Sequence, residues 1–339
     1  MLVTAPAPTV PFGYEFWYAP TTANNYLTTV AFGNDGTIYI GSGDKSVYAF
    51  NPKGLMLRSF ETGAGIGSGP ALYGGIVYIS SYDGYLYAID QYTGNLRWKF
   101  QAGSYFPVSP SPTITSDGVI YIGNGDGYLY ALSTADATVL WKYKTGGSIW
   151  SKPLIGPDNS IYFGSFDKKV YALHQDGTFK WSFTTGSYVV SSPAISADGS
   201  TIYIGSYDSN LYALRTTDGS VVWTYATDNG IYSSPTVGPD GWIYFGSFDF
   251  SVYALSAYGR KQWSYKTRGI IKSSAVIGPG NKVYIGSNDF NLYAFDGSDG
   301  TLLGAFETGS FVSAIPAISV TDGSIIFGSE DGYLYSIQG

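Results

Sequence analysis

Ile202–Leu214 reads IYIGSYDSNLYAL, and seven further stretches of the chain repeat it. They are IYIGSGDKSVYAF from Ile38, VYISSYDGYLYAI from Val77, IYIGNGDGYLYAL from Ile120, IYFGSFDKKVYAL from Ile161, IYFGSFDFSVYAL from Ile243, VYIGSNDFNLYAF from Val283 and IIFGSEDGYLYSI from Ile325. Their aspartates, Asp44, Asp83, Asp126, Asp167, Asp208, Asp249, Asp289 and Asp331, fall 39 to 43 residues apart. A self-similar period of that length is the mark of a repeat architecture.

Each copy holds four short strand signals separated by turn chemistry. In the fifth these are SPAIS at Ser192, TIYIG at Thr201, NLYAL at Asn210 and VVWTY at Val221, with ADG, SYDS and TTDG between them. Four antiparallel strands per unit with no helical period predict an all-β, eight-bladed propeller. The eighth unit reaches Gly339 after only three strands, and GYEFWYAP (Gly13–Pro20) aligns with GSVVWTYAT from Gly219. Trp17 precedes Asp44 by 27 residues, as Trp181 precedes Asp208. The N-terminal strand is therefore expected to complete the last blade and remove two open sheet edges. The division predicted is a Pro/Ala-rich stub at 1–12 and one propeller at 13–339. The near-identity of the central copies is that of a unit amplified recently or by design.

Trp17, Trp98, Trp141, Trp181, Trp223 and Trp263 share one outer-strand position, where an indole covers apolar surface of a neighbouring blade. Arg58 and Gly304 take that place in the first and seventh blades, so those junctions must pack differently. The repeated aspartates read as caps on their own tight turns rather than as metal ligands.

The formal charge of −7, with 18 Lys and Arg scattered along 339 residues, excludes a nucleic-acid backbone as main partner. The absence of cysteine excludes disulfides, thiolate catalysis and cysteine-bound zinc. No apolar run has the length of a membrane span. Met1–Val10 does not read as an intact signal peptide. If it is the stub left by cleavage of one, the native protein is exported to the periplasm or beyond. His174, in the turn HQDG, has no nucleophile or acid beside it and reads as a surface residue, and no catalytic constellation emerges. The solution state expected is a monomer.

GYLYAIDQYTGNLRWKF (Gly84–Phe100) and SNLYALRTTDGSVVWTY (Ser209–Tyr225) resemble the PQQ-like propeller repeat of the quinoprotein dehydrogenases and the outer-membrane-assembly propeller lipoprotein. The resemblance spans residues 13–339 and implies eight blades. Dehydrogenases of that superfamily hold a quinone over the axis with a vicinal cysteine pair, a stacking Trp and a calcium ion bound by Glu and Asn. This chain has no cysteine and no long inserted loop, and the Glu, Asn and Asp ligands match no particular positions here. The resemblance thus implies the cofactor-free branch, a non-enzymatic binding or interaction scaffold. The alternative it leaves is a calcium- and PQQ-dependent dehydrogenase of alcohols or sugars, with Trp150 stacking on the quinone and Lys152 or Lys272 pairing with its carboxylates.

In an up-and-down blade the turns after the second and fourth strands share a face. Those after the fourth strand vary most between copies. Three residues before the Pro that opens each first strand stand, in ring order, Tyr26, Gly67, Ser109, Trp150, Val190, Tyr232, Lys272 and Ser313. These are expected to surround the mouth of the central channel, with Tyr105, Phe106, Tyr188 and Phe311 nearby and Lys152 and Arg268 adding positive charge. Such a mouth suits a peptide, protein or glycan. The competing reading is that the large side chains simply plug the channel.

Overall fold

In a computed structural model, which describes residues 12–21, 27–102 and 110–339, the chain forms eight sheets of four antiparallel strands. The fifth blade runs outward through Ala194–Ile195, Thr201–Gly205, Asn210–Arg215 and Val221–Ala226. The middle two strands are apolar on both faces and mostly buried between their ends; the outermost alternates between exposed and half-buried. Cores lie between blades rather than within them. Tyr203, Leu211 and Ala213 of the fifth blade pack on Ile243, Phe245, Tyr253 and Leu255 of the sixth. This is why each blade needs a neighbour: a lone four-stranded sheet would expose both apolar faces.

The eighth sheet contains Ala317–Ile318, Ile325–Gly328, Tyr333–Ile337 and, from the other end of the chain, Glu15–Pro20. Its register copies the other blades. Trp17 pairs with Ser336 and Glu15 with Ile337 across a bulge at Phe16, as Trp223 pairs with Ala213 and Val221 with Leu214. The ring is thus closed by main-chain hydrogen bonds at the expected place.

Two devices repeat at the blade junctions. The first is the outer indole. Trp181 Nε1 donates to Thr216 O of the next blade at 2.9 Å, while its ring lies over Gly219, where a Cβ would meet ring carbon at 2.5 Å. Gly219 also has φ +73°, so a left-handed turn and a close ring approach both require glycine there. Arg58 does the same job in the first blade, its guanidinium donating to Gln91 O. In the seventh, where Gly304 stands, Phe12 fills the space instead and stacks on Tyr284 with centroids 6.1 Å apart. Elsewhere that ring pairing is Trp on Tyr, as in Trp223 on Tyr203. Phe12 therefore belongs to the propeller, one residue before the boundary read from sequence.

The second device is the aspartate. Asp208 Oδ1 accepts the amide of Asn210 at 3.0 Å, closing its own turn as expected and holding Ser209 at φ +72°. Its other oxygen does what the sequence did not reveal: Oδ2 accepts the phenol of Tyr212 at 2.8 Å and the amide of Gly186, from the loop entering that blade, at 2.6 Å. All eight aspartates accept such a tyrosine. Six of them accept the incoming amide among the described residues. Burial, reinforced by the hydrogen bond to the carboxylate, raises the phenols of Tyr87, Tyr130, Tyr171, Tyr212, Tyr253, Tyr293 and Tyr335 above their ordinary value of 10.0.

Removing residues 1–20 is expected to lower the melting temperature and promote oligomers through the bare edge of Tyr333–Ile337; an unchanged monomeric melt would contradict the closure. Phe12→Ala alone should cost about 2 kcal/mol in denaturant unfolding, below the loss for a fully buried ring because Phe12 is half-buried. The native state keeps its phenols neutral where the unfolded chain ionises them. Their contribution is therefore fully present below about pH 10 and is lost as pH rises beyond it. Melting scans should be flat approaching pH 10 and fall steadily above, and Tyr212→Phe should cost about 2 kcal/mol at neutral pH.

Candidate functional site

The loops that enter the innermost strands converge on the axis. Gly67, Trp150, Val190, Tyr232, Lys272 and Ser313, one from each of six blades, line a single cavity of about 550 Å³. The two remaining ring positions, Tyr26 and Ser109, and the nearby Tyr105 and Phe106, lie outside the described residues. Lys152 lines the same cavity; Arg268, Tyr188 and Phe311 do not. Arg268 is exposed, its amide held by Asp289 at 2.9 Å. Phe311 lies against Phe290 with centroids 5.4 Å apart.

Tyr188 reaches the mouth through an intermediary. Trp150 packs on Phe166 at 4.1 Å and Phe166 stacks on Tyr188 at 5.0 Å. Tyr207, Tyr232 and Phe248 form a second group, with Tyr232 and Phe248 stacked at 5.9 Å and 13°. Phe166, Tyr207 and Phe248 were missed by the sequence reading, as was Tyr82, which lines the cavity. All occupy the residue before the aspartate in the turn after the second strand, a place that varies between copies. The two groups cover the fourth to sixth blades; in the seventh and eighth, the next two round the ring, the same two positions hold Lys272, Asn288, Ser313 and Glu330. Trp150 Nε1 and Asn288 Oδ1 are buried without a hydrogen-bond partner. Burial pushes the phenol of Tyr232 up to about 12, aided by the nearby Tyr207 and Tyr82.

Beneath this rim the cavity narrows to the residues just before the first strands: Thr28, Gly69, Ser111, Lys152, Ser192, Ser234, Ser274 and Ile315. Lys152 is open to water along the channel yet walled by protein on every side. That loss of bulk solvent lowers its ammonium from the usual value of 10.5. It makes no ion pair among the described residues. Lys152 and Ser192 also line a second cavity of about 760 Å³, bounded by Ile114, Asp117, Asn159 and Gln175 toward the opposite face. His174 is exposed on a turn, and Trp242 packs half-buried against the core of the sixth and seventh blades.

The mouth does not suit a quinone with calcium. Its described lining offers one carboxylate, Glu330, which already accepts Ser313 Oγ at 2.7 Å, whereas calcium takes about six to eight oxygen ligands. Trp150 has a ring face taken by Phe166. Among the described residues no group of three or more His, Cys, Asp or Glu is placed to hold a metal ion.

An eight-bladed PQQ-like propeller with an aromatic, polar mouth is the class of protein these features define. The chain belongs to the family described as outer membrane protein assembly factor BamB, which it matches over residues 10–168, 106–196 and 167–311. Its fold is shared by BamB from Moraxella catarrhalis (TM-score 0.80, 18% identity, 96% of this chain and 99% of that one). The computationally designed Ika8 protein shares it too (TM-score 0.81, 16% identity, 96% and 99%). No curated protein sequence matches the chain.

Titration with the quinone and calcium together is expected to give no saturable absorption change and no dye reduction with alcohols or sugars. Uptake with turnover would restore the enzymatic reading.

Proposed function

We propose that the chain is a protein-interaction scaffold of outer-membrane assembly that grips a polypeptide segment at the axial mouth. One observation carries this: large aromatic side chains form two ring-packed groups over three neighbouring blades, Trp150 with Phe166 and Tyr188, and Tyr207 with Tyr232 and Phe248, at positions where several other blades have Gly, Ser or Asn. Ring closure does not require them, since the junctions are built by the outer indoles and the aspartates. Clustered Trp and Tyr beside an axial hollow are what a binding surface uses to anchor apolar and aromatic side chains of a partner. The family description, outer membrane protein assembly factor, supports an outer-membrane setting. No helix among the described residues is long and apolar enough to cross a membrane.

Fluorescence anisotropy with labelled, unstructured peptides of differing aromatic content tests the reading. Peptides with Phe or Trp should bind saturably, and Trp150→Ala should weaken them about thirtyfold, the loss typical of a truncated hot-spot tryptophan. Its melting temperature should shift by only a few degrees. Equal binding by the variant, or binding of oligosaccharides in place of peptides, would overturn the proposal.

A further inference from the structure

The neck below the aromatic rim carries an unusual set of free donors. Lys152 N donates to Ser192 Oγ, Ser192 N to Ser234 Oγ and Ser234 N to Ser274 Oγ, each at 2.9 Å; Gly69 N donates to Ser111 Oγ at 2.8 Å. Each of these four hydroxyls accepts an amide from the preceding blade. None donates to any acceptor among the described residues, and all four line the cavity. A hydroxyl has one proton and two lone pairs. With one lone pair taken by the amide, the proton and the second lone pair remain to offer the channel.

Lys152 stands in the same ring of positions, where its neighbours are serines. The substitution has a structural cost: the Ser111 amide, whose counterparts in the next blades donate to a serine hydroxyl, has no such acceptor at position 152. What replaces the hydroxyl is an ammonium that lines the channel and makes no ion pair among the described residues. A cation beside O–H donors in one channel lining suits an oxyanion.

The charge count selects among oxyanions. One unpaired cation lies in the neck and a second, Lys272, on the rim. Glu330, four blades from Lys152, faces it across the axis. A monoanion is matched by Lys152; a phosphate dianion would meet a carboxylate opposite and a chain of net charge −7. We propose that this neck binds a carboxylate of the polypeptide held at the mouth, through the ammonium of Lys152 and the hydroxyls of Ser192 and Ser234, which hold the next two positions round the ring. This rests on the polypeptide-binding reading above and adds the polar half of the recognition.

The test compares three peptides on the full chain by calorimetry: N-acetyl-glycyl-glycyl-phenylalanine as free acid, the same peptide as C-terminal amide, and N-acetyl-aspartyl-glycyl-phenylalanine amide. The acid should bind at least tenfold more tightly than the neutral amide. The aspartyl peptide tells which carboxylate is read: affinity like the acid assigns a side chain, affinity like the neutral amide assigns the chain terminus. Lys152→Met should erase the acid–amide difference, Lys152→Arg should keep most of it, and Ser192→Ala with Ser234→Ala should reduce it severalfold. Equal binding of acid and amide to the unmodified protein would overturn the carboxylate site while leaving peptide binding intact. Binding of none of the three would sink both. Tighter binding of inorganic phosphate than of acetate, at matched ionic strength, would overturn the assignment to carboxylate.

Discussion

A ring of sheets has no covalent closure, so the mouth exists only because one strand from the far end of the chain pairs with Tyr333–Ile337. Blades held in a circle place eight loops around one hollow; the same blades in an open arc would splay them and leave the last sheet a bare edge. The pairing is enforced beyond its main-chain hydrogen bonds. Trp17 Nε1 donates to Pro52 O of the first blade, and Phe12 packs into the seventh. A short segment thus touches three blades, and the site at the axis depends on contacts made at the rim.

Junction chemistry is conserved in role rather than in residue. An indole, a guanidinium and a phenyl ring from a different part of the chain all cover the same place beside the next blade. The indole and guanidinium also reach the same backbone carbonyl position. The carboxylate clamp is less tolerant, because one side chain must accept from its own turn, from a phenol and from the preceding loop at once. Only Asp has both the reach and the two oxygens, and it stands in every blade. The difference between the two devices is one of geometry: coverage has several solutions, a three-donor acceptor at fixed distance has few.

The fold was legible because a pattern written eight times averages out local ambiguity. Even the register of the closing strand followed from the spacing of Trp17 and Asp44. The outer ring of mouth residues was legible for a related reason, since variation against a repeated background marks positions free of structural duty. Phe166, Tyr207 and Phe248 escaped notice because they sit inside the motif used for alignment, where the eye reads constancy. The bond from Asp208 to Gly186 escaped because it joins residues 22 apart across a junction, and nothing in the period says which oxygen faces which loop.

The neck serines explain why the inner half of the site could not be read at all. In them one atom has two roles: its lone pair ties a blade to its neighbour, and its proton is left without an acceptor among the described residues. Repetition makes the first role visible and hides the second. A serine recurring before a strand looks like part of the framework, as the tryptophans and aspartates do. Lys152 separates the roles, because a lysine gives up the inter-blade acceptor and keeps only a donor in the cavity lining. A residue that breaks a structural rule while strengthening a chemical one is the best single pointer to where selection for binding has overridden selection for the ring. In this chain it stands directly below the largest aromatic of the mouth.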